Sequence, residues 1–250
     1  MSLLPALVSC ESMNRMVKPK AAAATPFLTH AAEMKAQPGR SPFLRNWMNP
    51  SPQARAVFEK KNELHIAVVT LDHLRPMSKV LAKTESGRES WLEGALKLGD
   101  YAKEEFSAAF RNSKDARFKI VDKPGRHSLT LELAFVELNP NSVSGALIKT
   151  AVNSVALPST DLILAGPSRP LKGNIAIEGR LRDSRSKTSI FEFADNEESK
   201  SPVILNIRDF KPYGQARLAI HEWALQFEQL MRTPDDAKVK DSSSVTWRLW

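Results

Sequence analysis

The sequence predicts a single α+β domain in which helices pack on one face of a mixed or antiparallel sheet. Three observations support this prediction: short stretches of alternating apolar residues, two longer stretches with helical period, and turns rich in proline and glycine between them. The predicted elements follow in the order β-α-β-β-(irregular)-β-β-α. An order of this kind forms one sheet with its helices on one side.

The first strand and the first helix are distinguished by their periods. Residues 64–71 alternate and are rich in branched side chains, which predicts a strand. Residues 84–113 repeat apolar side chains every three or four positions, which predicts a long helix with one buried face. That face consists of Trp91, Ala95, Leu98, Ala102, Phe106 and Ala109.

A predicted hairpin follows this helix. The alternating stretches 117–122 and 128–138 flank Lys123-Pro124-Gly125-Arg126, whose proline and glycine suit a tight turn. We therefore expect the two strands to pair in antiparallel fashion. Residues 141–172 have no clear period and are expected to be irregular.

The second hairpin and the last helix complete the predicted domain. Residues 174–183 and 188–193 alternate on either side of the polar turn 184–187, which predicts two paired strands. Residues 213–232 then carry one apolar stripe at helical spacing. The stripe consists of Ala216, Ile220, Trp223, Phe227 and Leu230.

Composition divides the rest of the chain. Residues 1–26 lack hydrophobic period and are interpreted as an anchor segment and flexible linker. The domain covers 27–232, and its first part, 27–62, is interpreted as a strap because its prolines exclude a long helix. Residues 233–250 form a tail. The strap is expected to attach through the apolar pairs Phe27-Leu28, Phe43-Leu44 and Trp47-Met48.

The positive charge is concentrated before the predicted body. Residues 1–62 hold nine basic and three acidic side chains, so they carry most of the net charge of +8. An arm of this kind suits an anionic lipid surface or another acidic polymer. The alternative is a cytosolic basic protein that contacts nucleic acid through residues 1–62. The aromatic residues of the arm are well separated, which disfavours base stacking and makes nucleic acid the less favoured partner.

Cys10, the only cysteine, excludes a disulfide framework and a zinc site of paired thiolates. It follows Leu7-Val8-Ser9, and this order of aliphatic and small residues before cysteine matches the lipobox of bacterial lipoproteins. We therefore predict lipid attachment at Cys10. No stretch approaches the ~18 apolar residues of a membrane-spanning helix.

No stretch supplies a complete catalytic, metal or nucleotide site. The five histidines have no metal-ligand spacing, and no glycine-rich loop suits a phosphate. Glu178 alternates with inward residues and is expected on a solvated face. The sequence therefore predicts a protein with no catalytic residue, no metal and no cofactor. An enzyme with a dispersed site is the other alternative, because active-site residues need not be close in sequence.

Two segments are candidate interaction surfaces. The second hairpin carries four basic side chains, which suit phosphate, carboxylate or a glycan polymer. They are Arg180, Arg182, Arg185 and Lys187. In the tail, Trp247 and Trp250 belong to an alternating segment, 245–250, that is expected to dock as a strand on a sheet edge of this domain or of a neighbour.

Several motifs together resemble one protein family. They are Phe27-Leu28 and Trp47, Lys123-Pro124-Gly125 before Leu129-Thr130-Leu131, Ile177-Glu178-Gly179-Arg180-Leu181-Arg182-Asp183-Ser184, and Glu222-Trp223-Ala224. Across residues 27–232 the chain resembles the bacterial envelope lipoproteins of domain-of-unknown-function family 3313. The resemblance implies acylation at Cys10 and a periplasm-facing domain anchored to the outer membrane. It supplies no chemistry, and the expected partner is another envelope protein or the cell wall.

Overall fold

A computed structural model describes residues 21–76, 85–139, 174–198, 213–239 and 241. Nine elements occur in this part of the chain, and six of them are strands of one sheet. In chain order they are β1 (Arg45–Met48), α1 (Pro52–Lys60), β2 (Glu63–Ile66), α2 (Glu85–Asn112), β3 (Lys119–Val121), β4 (Ser128–Asn139), β5 (Asn174–Asp183), β6 (Ser189–Glu198) and α3 (Gly214–Arg232).

The sheet has the strand order β1-β6-β5-β4-β2-β3. β1, β6, β5 and β4 pair in antiparallel fashion, whereas β2 lies parallel to both β4 and β3. This mixed sheet with helices packed against it confirms the predicted α+β class. The hairpin of β5 and β6 is also confirmed, although β6 continues to Glu198, beyond the predicted end at residue 193.

The predicted hairpin of residues 117–122 and 128–138 is wrong. β2 lies between these two strands, so Glu63 has Lys119 on one side and Ser128 on the other. Turn residues show only that the chain changes direction. A strand from another part of the sequence can still pair between the two strands that flank the turn. The predicted irregular segment 141–172 lies outside the described residues.

β1 and α1 are additions to the predicted order, because the strap contains more regular structure than its prolines suggested. Pro52 begins α1, where its missing N–H removes no helical hydrogen bond. Ser51 caps this helix by accepting a hydrogen bond from the Ala54 N–H at 3.1 Å. The preceding strap residues, Arg45–Met48, form β1, which pairs with β6 at one edge of the sheet.

The helix-facing side of the sheet forms the main core. Alternate residues of β4, β5 and β6 face α2 and α3, and Trp223 and Phe227 of α3 are fully buried among them. Phe43 of the strap joins this core and stacks on Phe193, with their ring centroids 4.2 Å apart. None of the described helices combines the length and apolar composition needed to cross a membrane.

The strap covers the opposite side of the sheet. Phe27, Leu28, Met34 and Trp47 are buried there in a second, smaller cluster with Ala134 and Ala194. Of the predicted apolar pairs, Phe27-Leu28 is buried, whereas the other two pairs bury only Phe43 and Trp47, because Leu44 is half-buried and Met48 is exposed. Both faces of the sheet are therefore covered, one by the helices and the other by the strap.

Candidate functional site

The four basic residues of the β5–β6 hairpin fall into two groups. Arg180 bonds Glu132, donates to the Phe27 carbonyl at 2.6 Å and lies 4.3 Å from the centre of the Phe27 ring. Arg182 donates to the Lys187 carbonyl at 2.7 Å and also lies beside Glu132. These two arginines hold the strap and the hairpin in place. Arg185 and Lys187 are exposed at the tip of the hairpin.

A second basic turn lies beside this tip. The Gly125 N–H donates to the Ser128 hydroxyl at 2.7 Å, and the same hydroxyl contacts that of Ser184 at 2.8 Å. The turn with Lys123 and Arg126 and the turn with Arg185 and Lys187 therefore share a buried hydroxyl cluster, which Thr130 completes. We call the four exposed cations, Lys123, Arg126, Arg185 and Lys187, the basic rim.

An ion pair between Lys61 and Asp183 connects the two turns that carry the rim. The Lys61 ammonium lies 2.5 Å from Asp183 and donates to the Arg126 carbonyl at 2.7 Å, so it joins both turns. Burial alone would raise the pKa of Asp183, but hydrogen bonds from Lys61 and Ser186 outweigh it and hold that pKa below its usual range. Asp183 also accepts from the Ser186 N–H at 2.9 Å, as expected for the residue that opens a turn.

The rim cations differ from the other hairpin arginines in having no side-chain partner in the described part of the chain. Among the described residues, no side chain pairs with the cationic groups of Lys123, Arg126, Arg185 or Lys187. Their charge is therefore available to an external anion. Sequence reasoning identified only the hairpin half of this surface, because about sixty positions separate the two turns and only the tertiary structure brings them together.

The expectation of a solvated Glu178 is wrong. Glu178 is 1% exposed, and it accepts hydrogen bonds from the N–H and the hydroxyl of Thr25, at 2.9 and 2.5 Å. Burial raises the pKa of Glu178, against the opposing effect of the Thr25 hydrogen bonds. The alternating pattern placed this side chain on the correct face, but it could not show that the strap covers that face.

Glu192 holds the strap in the same way one strand further along. This carboxylate is completely buried and accepts from the His30 N–H at 2.9 Å, while its other oxygen lies 3.0 Å from the His30 ring. The His30 ring stacks on Trp47 at 3.5 Å, and the Trp47 indole donates to Glu33 at 3.0 Å. The buried carboxylates of Glu178 and Glu192 therefore fix the strap to the sheet.

Other predicted sites are placed as follows. The described residues contain no group of three or more His, Cys, Asp or Glu side chains that could hold a metal. Cys10, Trp247 and Trp250 lie outside the described residues. Residues 21–26, which we assigned to the linker, are described, and the Ala22 and Ala23 carbonyls accept hydrogen bonds from Arg45 and Arg75.

The fold and the site define a class: an α+β domain whose mixed sheet is covered by helices on one face and by its own N-terminal strap on the other. The chain belongs to the family "Protein of unknown function (DUF3313)", whose model matches residues 61–227. No curated protein matches the sequence significantly.

Two solved structures are similar at low sequence identity. The PelC dodecamer from Paraburkholderia phytofirmans is 9% identical, with a TM-score of 0.35, over 74% of this chain and 95% of that one. The hypothetical protein CT253 from Chlamydia trachomatis is 10% identical, with a TM-score of 0.34, over 68% of this chain and 98% of that one.

Proposed function

We propose that this chain is a non-catalytic, lipid-anchored domain of the bacterial cell envelope that binds the cell wall through its basic rim. In this proposal Cys10 carries the lipid, and the domain faces the periplasm from the outer membrane. The observation that carries the proposal is the convergence of two basic turns on one hydroxyl cluster. The wall suits such a surface because it is a polymer that bears carboxylates.

Contacts within the two turns hold the backbone of the rim in place. The Lys61 ammonium and the Ser128, Thr130 and Ser184 hydroxyls are internal to the two turns, so the four rim cations project from a fixed backbone. A preorganised set of cations loses little conformational entropy when it meets an anion. Solvated lysines on a mobile loop would not have this advantage.

The non-catalytic part of the proposal rests on how three buried carboxylates are used. Glu178 and Glu192 bond the strap, and Asp183 bonds Lys61 and the turn. A general acid or base needs a free proton-transfer position that a substrate can reach. In these three carboxylates, groups of the protein itself take the place that a substrate would need.

Several basic residues of the arm are also engaged within the fold, which favours the envelope hypothesis over a nucleic-acid arm. Arg40 donates to the Leu230 and Thr233 carbonyls at the end of α3. Arg45 donates to Ala22, and Arg55 pairs with Glu59. Arginine side chains that bond to the protein itself contribute less to a flexible, positively charged arm that binds nucleic-acid phosphates.

Charge reversal at the rim tests the proposed binding. The double variant Arg126→Glu/Arg185→Glu, one change in each turn, is expected to co-sediment with purified wall sacculi at least about tenfold more weakly at low salt, because two attractive contacts become repulsive. The fraction bound is measured by sedimentation over a salt series. The unmodified chain should itself dissociate as salt rises.

A matched control has the same change in net charge on the helices. Lys97→Glu/Arg217→Glu should sediment like the unmodified chain, since Lys97 and Arg217 lie on α2 and α3. Equal losses in the two double variants would show that net charge alone matters and would contradict a rim site. No binding of the unmodified chain to sacculi would exclude the wall as the partner.

The anchor is tested by the mass of the mature protein. We expect expression from the native gene, with its upstream region, to yield a chain that begins at Cys10 and carries added lipid. Cys10→Ser should abolish the added mass and release the protein from the membrane fraction. A chain that retains Met1 and has no lipid would contradict the anchor while leaving the rim unaffected.

A further inference from the structure

A pocket opens at the β1 edge of the sheet. It has a volume of about 220 Å³ and lies between β1, the strap, α1 and the end of α3. Its apolar wall is formed by Met48, Phe58, Phe191, Leu230 and Met231. Binding sites for whole small molecules usually measure roughly 300–1,000 Å³. This pocket is therefore of the size for one large side chain.

Asn46 places a hydrogen-bond donor in the wall of the pocket. Asn46 lines it and is 2% exposed, yet its side-chain amide Nδ2 makes no hydrogen bond among the described residues. An unpaired buried donor is costly, so a segment that brings an acceptor to Asn46 would be stabilised in this pocket. A peptide carbonyl is the acceptor that an extended chain would bring.

The strap covers part of the neighbouring edge of β1 and leaves Met48 beside the pocket. The Asn46 N–H and carbonyl both bond outward to Lys35, at 3.0 and 2.9 Å, and no other described residue continues that ladder. Outward-directed backbone groups recur at every second residue of an antiparallel strand. Met48 therefore also directs its backbone N–H and carbonyl away from β6, and its side chain, 42% exposed, lies in the pocket.

The chain itself passes close to this pocket. The Val239 N–H donates to the carbonyl of Arg40, which lines the pocket, and Asp241 accepts from Gln226 at 3.2 Å. Gln226 lies one helical turn before Leu230 of the pocket wall. The six residues from Asp241 to Trp247 span at most about 20 Å, which is enough to reach the pocket.

We propose that residues 245–250 dock in extended form beside Met48 of β1 and that Trp247 fills this pocket. Val245, Trp247 and Leu249 share one side of an extended chain. The indole suits a wall of two phenylalanines and two methionines, whose rings and thioethers favour aromatic contact. A carbonyl of the same segment pairs with the Asn46 amide.

The test uses the full chain labelled with 5-fluorotryptophan, in which Trp247→Phe identifies the ¹⁹F resonance of Trp247. The shift of that resonance between H₂O and D₂O reports solvent exposure. We expect a small isotope shift in the unmodified chain and a shift close to that of the denatured chain in Met48→Arg, which fills the pocket with a charged side chain. Leu96→Arg, at a similarly exposed apolar position on α2, should leave it unchanged.

Three results would overturn the proposal. One is a Trp247 resonance fully exposed in the unmodified chain. Another is a protected resonance that Met48→Arg does not alter although the variant melts like the unmodified protein. The third is protection that disappears on dilution together with a dimer, which would place the segment on a second copy.

A second measurement covers the case in which Met48→Arg fails to fold. The chain ending at residue 244 should bind a synthetic peptide of residues 242–250 and should not bind the same peptide with Trp247→Ala. Saturable binding of the first peptide alone supports the site. Equal binding of both peptides, or of neither, overturns it.

Discussion

Replacing Trp223 with alanine is expected to lower the free energy of unfolding by about 3–5 kcal/mol, the usual cost of truncating a buried aromatic residue. Trp223 is 1% exposed at the centre of α3, and its indole N–H donates to Asp195 of β6 at 2.9 Å. The substitution therefore removes packing and the hydrogen bond that joins the helix to the sheet. Chemical denaturation followed by circular dichroism measures the loss.

Two further variants separate these contributions. Trp223→Phe keeps most of the packing and loses the hydrogen bond, so we expect a smaller loss of about 1–3 kcal/mol. Leu225→Ala, at a 47% exposed position of the same helix, should cost less than about 1 kcal/mol. A loss below about 1 kcal/mol for Trp223→Ala would mean that α3 is not docked on the sheet as described.

Replacing Gly179 with alanine is expected to destabilise the domain by about 3 kcal/mol, as other insertions into a close-packed core do. A Cβ at this position would lie 2.1 Å from Cε1 of the Phe193 ring, which lies across the strand from it. The ring cannot move aside easily because it is fully buried and stacked on Phe43. Gly39→Ala is the matched control, since a Cβ there meets nothing within 4 Å.

A double-mutant cycle tests the cause directly. Phe193→Leu removes the ring atoms that the new methyl group would contact, so Gly179→Ala should cost less in that background. We expect a coupling energy of about 1–2 kcal/mol between the two positions. If the two losses of stability are additive, the cost of Gly179→Ala comes from the backbone conformation at this position and not from a clash with the Phe193 ring.

Local period was sufficient for several elements. The predicted helix 84–113 is observed as Glu85–Asn112, and all its predicted inward residues except Trp91 belong to the main core. The β5–β6 hairpin and α3 also lie where the pattern placed them. Each of these elements carries its own hydrophobic period, which is visible within a few turns or strand residues.

The same patterns were insufficient where a distant segment provides the partner. The turn at 123–126 predicted a hairpin, and β2 occupies the place between its arms instead. Glu178 was assigned to solvent, and Thr25 covers it from more than one hundred and fifty residues away. In both cases the alternation was read correctly, but alternation does not specify which segment lies next to the strand.

By itself the sequence determined the α+β class, the long helices, the second hairpin and the family. Only the tertiary structure decided that β2 separates β3 from β4, that buried carboxylates hold the strap, and that two basic turns form one rim. The physical reason is that periodicity records how each residue is divided between core and surface. Strand partners, buried ion pairs and shared hydroxyl contacts depend on the distances between segments remote in sequence, and folding alone sets those distances.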